Sequence, residues 1–221
     1  MTDSKRPSRD HGDSLTRERF VRAALDLVDR EGIGALSMRR LGAELGVDPM
    51  AAYYYLPNKQ ALLDAIVEAV MAEIDLTKDD PSTPAEARIM VAARAYRDVL
   101  LAHANALPIV LSRSPNTPAA MRPVELLIGI LRDAGLTPTE ALAGMNAIAA
   151  TVRGTVASAA EGPHEPPESD DPAAFAERFP ADEFPNLREA ALCPPDFLGA
   201  DFDFGIRALA KGLLAGHEGR E

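Results

Sequence analysis

Tyr53, Tyr54 and Tyr55 stand in consecutive positions and are three of only four tyrosines in the chain. A phenol hydroxyl donates to phosphate oxygens, and its ring can lie against a sugar or a thymine methyl. Packing a small domain does not require three adjacent tyrosines, so the cluster points to nucleic-acid contact. The plainer reading is aromatic packing on an ordinary helical hairpin. Catalysis has no comparable signal. His11, His103, His164 and His217 show no metal-ligand spacing, and the single cysteine, Cys193, precedes a proline with no base nearby in sequence. No phosphate-cradling glycine motif precedes a helix. Neither an enzyme, a metal site nor a cofactor is expected.

The elements that must position these tyrosines are legible around them. Ser37 can cap a short helix that follows it, with Leu36 and Leu41 placed to close a hydrophobic staple. Gly46 allows a tight turn. Asp48 then caps the next helix, and Pro49 occupies its first position, where a missing N–H costs nothing. Two short capped helices joined by a glycine-containing turn form a helix-turn-helix, whose second helix enters the major groove. At 100° per residue Ala52 and Leu56 make its inward seam, Met50 and Tyr54 point away, and Ala51, Tyr53 and Tyr55 flank them.

The rest of the chain also reads as helices, giving an all-α fold. Phe20, Ala24, Leu27 and Val28 share one face of a first helix that starts at Thr16 and ends near Gly32 or Gly34. A fourth helix runs from about Asn58 to Leu76, and others cover about 84–103, 119–134, 138–160 and 201–215. Residues 1–14 read as a disordered arm, 15–60 as the DNA-binding unit and 61–221 as a larger helical unit. Within the latter, 161–172 carries four prolines and five acids without a base, the signature of a flexible acidic loop. The longest uncharged stretch, 99–112, is too short and polar to span a bilayer. With no apolar segment in residues 1–14 and one cysteine, a cytoplasmic protein without membrane contact is expected.

The stretch RERFVRAALDLVDREGIGALSMRRLGAELGV, followed by YYYLPNKQALLDAI, resembles the DNA-binding domain of the TetR (tetracycline-repressor-like) transcriptional regulators. The likeness implies a regulator of duplex DNA, expected to be a repressor released by a small molecule. It places Arg39 at a guanine-reading arginine and Pro49, Met50 and Ala51 at base-facing positions. Tyr53 and Tyr54 match phosphate-contacting aromatics, and Lys59 matches a lysine beside the backbone. Chemistry agrees: a guanidinium can donate to guanine O6 and N7 together, and Lys59 adds charge to a helix N-terminus. Ser37 completes the expected DNA-binding set. Met50 and Ala51 depart from the polar residues common in the family, favouring contact with thymine methyls.

The segments PVELLIGILRDAGLTPTEALAGMNAIAATVRGTVA and DFDFGIRALAKGLLAG resemble the C-terminal domain of the tetracycline-repressor subgroup. That resemblance implies a four-helix dimer interface, to which Ala147, Ala150, Thr151, Gly154, Ile206, Leu209 and Leu213 are assigned. The apolar stripe alone would equally suit an intramolecular core. A homodimer suits a palindromic operator. The resemblance also implies an effector pocket, with Tyr96 at a pocket aromatic. Met90, Met121, Met145 and Asn146 could line it, though methionines also fill core gaps, and Arg94 and His103 could serve as polar anchors. Tetracycline repressors hold a magnesium–drug chelate through histidines and a glutamate. Val110, Ala150 and Ser158 stand at the matching positions, so tetracycline–magnesium is not the expected inducer. The alternatives are a ligand-independent DNA-binding regulator and a helical enzyme or carrier.

The charge balance sharpens the expectation. The chain of 221 residues has 34 acids against 23 bases, a net charge of -11. Residues 1–60 hold 10 bases and 9 acids, whereas 61–221 hold 13 and 25. A nearly neutral head on an acidic body should bind random duplex weakly and depend on placed contacts.

Overall fold

A computed structural model describes residues 15–160, 172–193 and 199–215. The arm at 1–14 lies outside the described residues, as does the acidic loop except for Pro172, which opens a helix. Among the described residues the chain is helical, with no strand.

Helix α1 (Arg17–Glu31) starts where the Arg19 amide donates to Thr16 Oγ1, and it stops at Gly32, whose φ of 78° suits glycine. Its periodic face, Phe20, Ala24, Leu27 and Val28, is fully buried. Helices α2 (Met38–Leu45) and α3 (Pro49–Tyr55) follow, then α4 (Lys59–Ala72), which is four residues shorter at its C-terminal end than the periodicity predicts. Apolar spacing persists to Ile74 and Leu76, and Ile74 stays buried without helical geometry. Ser37 and Asp48 cap α2 and α3 as the sequence predicts, and Thr16 and Asn58, expected only as helix starts, prove to be caps as well. The Arg40, Met50 and Ala61 amides donate to Ser37, Asp48 and Asn58 side chains. Such caps are each worth about 1 kcal/mol.

The larger part comprises α5 (Ala85–Ala102), α6 (Leu107–Ser112), α7 (Pro118–Asp133), α8 (Pro138–Ala160), α9 (Pro172–Glu177), α10 (Pro185–Ala191) and α11 (Ala200–Ala215). Helices α5, α7 and α8 pack on one another, α11 lies along α5 and α8, and α4 packs against both α1 and α7. One continuous apolar core therefore runs from Phe20 in α1 to Ala210 in α11. No linker divides head from body at residue 60, because α4 runs through that point.

Two glycines shape the helix-turn-helix. Gly46 adopts the left-handed conformation, φ 66° and ψ 32°, while the Val47 amide donates to the Gly42 carbonyl at 2.9 Å. Gly42 lets α2 approach the start of α3. A Cβ there would stand 3.0 Å from both Pro49 Cα and the Val47 carbonyl oxygen. Both neighbours are backbone and cannot rotate aside. Gly42→Ala is therefore expected to destabilise the fold by about 1–3 kcal/mol, measured by chemical unfolding. Wild-type stability in that variant would show that α2 and α3 can separate freely.

Candidate DNA-binding face and effector cavity

Helix α3 sorts its residues as helical geometry requires. Ala52 and Leu56 are buried, while Met50 and Tyr54 are 70% and 86% exposed. Tyr53 is also exposed, and Ala51 and Pro49 are half-buried. The Pro49 Cα is one of the backbone atoms that a side chain on Gly42 would meet. Tyr55 differs from its two neighbours. Its hydroxyl donates to the Leu15 carbonyl at 2.8 Å, and its ring lies 5.2 Å from that of Phe20. One of the three tyrosines is thus a packing residue that ties α3 to the start of α1.

Adjacent arginines on α2 are separated equally clearly. Arg40 pairs with Glu31 at 2.7 Å and with Glu44 at 3.6 Å, and Arg30 also reaches Glu44 at 3.1 Å. Arg39 is exposed and has no ion pair or side-chain hydrogen bond among the described residues. Lys59, at the first turn of α4, is likewise exposed and unpaired among them. Ser37 is occupied as a helix cap. The free donors near α3 are therefore Arg39, Lys59 and the Tyr53 and Tyr54 hydroxyls, an arrangement suited to phosphates and base edges.

The body holds a cavity of about 240 Å³ between α4, α5, α7 and α8. Tyr96, Met121, Met145 and Asn146 line it, with Val67, Met71, Val110, Val124 and Val152 among its apolar walls. Burial pushes the Tyr96 phenol up from its ordinary pKa, and the neighbouring Arg153 guanidinium partly offsets this. Arg113 and Arg153 also reach the cavity. Sequence spacing gives no sign of Arg113, because its partners are distant. It pairs with Asp64 and hydrogen-bonds Gln60, both on α4.

Three residues expected in the pocket lie elsewhere. Met90 is buried in the core away from the cavity lining. Arg94 is held by Asp203 of α11, with its Nε 3.0 Å from Oδ1. His103 sits between α1 and the end of α4, with Nδ1 2.8 Å from Asp29 and Nε2 2.9 Å from Glu73. Its charged partners are stronger attractors than an apolar cavity. On α8, Ala149 lines the cavity, whereas Ala150 and Ser158 are exposed outside it. The lining contains no histidine or carboxylate, and no group of three potential metal ligands occurs among the described residues.

The expected dimer residues divide similarly. Ala150 and Gly154 are exposed, and Ala147, Thr151, Leu209 and Leu213 are half-buried. Ile206 is fully buried within the protomer and offers no surface to a partner. The stripe formed with Phe202 turns inward against α5 and α8. Phe204, 77% exposed on the opposite side of α11, has no periodic signal in the sequence, being a single aromatic outside the stripe.

The sequence matches the family described as "Bacterial regulatory proteins, tetR family" over residues 20–66. It matches "Tetracyclin repressor-like, C-terminal domain" over residues 80–216. The chain belongs to the TetR family. It is accordingly an all-α helix-turn-helix transcriptional regulator. The transcriptional repressor DrrR1 of Streptomyces coeruleorubidus is 34% identical over 154 residues, covering 70% of this chain and 57% of that one. The class A tetracycline repressor from transposon 1721 of Escherichia coli is 30% identical, covering 87% and 88%. The Streptomyces coelicolor TetR-family protein ActR, in complex with (S)-DNPA, superposes with a TM-score of 0.81 at 29% identity, covering 91% and 98%. Among the described residues of this TetR-family chain, no helix is long and apolar enough to cross a membrane.

The His103 bridge generates a pH prediction. Donating from both ring nitrogens requires imidazolium. Burial alone would lower its pKa, but hydrogen bonds and charge from Glu73 and Asp29 outweigh this and raise it. A raised folded-state pKa means that the stabilisation is complete below the unfolded value of about 6.5 and disappears as pH rises through the folded value. His103→Ala is expected to cost on the order of 1 kcal/mol at acidic pH. In urea unfolding, the difference from the parent should shrink as pH rises. A constant difference would remove the charge from this account.

Proposed function

We propose that this protein is a homodimeric cytoplasmic repressor of a palindromic operator, released when a small molecule occupies the body cavity. Cavity wall and DNA-facing machinery share one helix, and this observation carries the proposal. Val67 and Met71 face the cavity, Lys59 begins the same helix, and Arg113 connects the cavity to its first two turns. A ligand that displaces Arg113 or presses on Val67 changes the position of α4. That changes the separation of the two recognition helices in the dimer, favouring a spacing that no longer fits the operator.

Dimerisation is assigned to α8 and α11, through Ala147, Ala150, Thr151 and Gly154 with the half-buried Leu209 and Leu213. Exposed Phe204 extends this surface. Arg39, Met50 and Ala51 are assigned to base contact, whereas Tyr53, Tyr54 and Lys59 hold phosphates. Pro49 and Ser37 shape the ends of their helices beside the duplex.

Arg39→Ala is expected to lower operator affinity by about 1–3 kcal/mol and relax discrimination at one base pair, whereas Lys59→Ala weakens all duplexes alike. Fluorescence anisotropy on single-substitution operator variants distinguishes the two outcomes. Unchanged specificity in Arg39→Ala would remove that residue from base readout. Arg113→Gln should reduce ligand-free operator affinity several-fold by loosening the start of α4, in the same assay. Operator affinity equal to the parent's would dissociate Arg113 from the coupling.

A further inference from the structure

The cavity lining is chemically one-sided. Its ionisable side chains besides Tyr96 are Arg113 and Arg153, and it contains no Asp, Glu or His. The two arginines are in different states. Arg113 already pairs with Asp64. Arg153 and Tyr96 are both half-buried and line the cavity side by side, and no carboxylate among the described residues lies within ion-pair distance of Arg153. A guanidinium partly withdrawn from water and lacking a counter-charge is costly, and that cost is recovered when an anion enters beside it. Asn146 lies two helical turns before Arg153 on α8 and lines the same wall, adding neutral donors and an acceptor. The other walls are aliphatic side chains and methionines, which suit a hydrophobic body.

We infer that the effector of this protein is an amphipathic organic anion whose acidic group is received by Arg153, beside Tyr96 and Asn146, while its apolar part fills the space between α4 and α7. The inference rests on the reading of the cavity as the effector site. A cationic ligand would meet only like charge there. A neutral ligand would leave the guanidinium without its counter-charge. A carboxylate or sulfonate gains bidentate, charge-assisted hydrogen bonds.

The test uses two fluorescent probes with the same aromatic body: 8-anilinonaphthalene-1-sulfonate and its uncharged counterpart N-phenyl-1-naphthylamine. Each is titrated into the full-length protein, Arg153→Met, Arg153→Lys and Ala149→Trp, the last of which fills the cavity. The sulfonate should bind the parent about tenfold or more tighter than the neutral probe, as expected for a hydrogen bond to a charged group. That ratio should fall to near one in Arg153→Met and be largely kept in Arg153→Lys. Both probes should lose affinity in Ala149→Trp. Equal affinities in the parent, or a ratio unaffected by Arg153→Met, overturn the anion inference and leave the cavity as the binding site. No binding of either probe, or binding unaffected by Ala149→Trp, overturns the cavity reading itself. If an Arg153 variant does not fold, the parent's ratio still decides.

Discussion

Leu62, Ile66 and Val70 of α4 are fully buried, and α4 packs on α1 on one side and α7 on the other, while Val67 and Met71 wall the cavity. Close-packed interiors transmit displacement because they contain little free volume to absorb it. A helix enclosed on both sides therefore cannot shift at its cavity end without altering its contacts with the head. Its N-terminus lies just beyond the recognition helix, separated from it only by residues 56–58. One packed helix therefore runs from the cavity wall to the end of α3.

Polar contacts at the periphery of that core determine how α4 sits. Arg113 attaches its first two turns to the end of α6, and His103 attaches its C-terminal end to α1. The Asn105 side chain donates to the Asp29 carbonyl at 2.8 Å and reinforces the second attachment. Exposed ion pairs contribute little stability individually. Their value here is positional, because they tie α4 to its neighbours, to α6 through Arg113 and to α1 through His103. Ion pairing also decides which charges are available. Glu31 and Glu44 occupy Arg40 and Arg30, whereas Arg39 and Lys59 have no ion pair among the described residues.

Helix α11 is held to the body along one face. Phe202, Ile206 and Ala210 are buried within the protomer, with the Arg97 guanidinium 4.7 Å from the Phe202 ring centroid and Arg94 paired with Asp203. These contacts secure α11 to α5. Its opposite side carries the exposed Phe204.

Features governed by neighbours within four residues were legible in the sequence by itself: the helix caps at Ser37 and Asp48, the helix starts near Thr16 and Asn58, the tight turn at Gly46, and the inward seam of Ala52 and Leu56. Their physics is local hydrogen bonding and helical periodicity, and the same motifs carry the family resemblance. Tertiary structure alone decided which polar side chains were occupied. Arg94 and Asp203, His103 and Asp29, and Arg113 and Asp64 are separated by 109, 74 and 49 positions, so no sequence period links them. It also decided that Tyr55 packs while Tyr53 and Tyr54 face outward, and that Ile206 belongs to the protomer core. Apolar spacing shows that a helix has a buried face, but the body against which it is buried is set only when distant segments compete for the same surface.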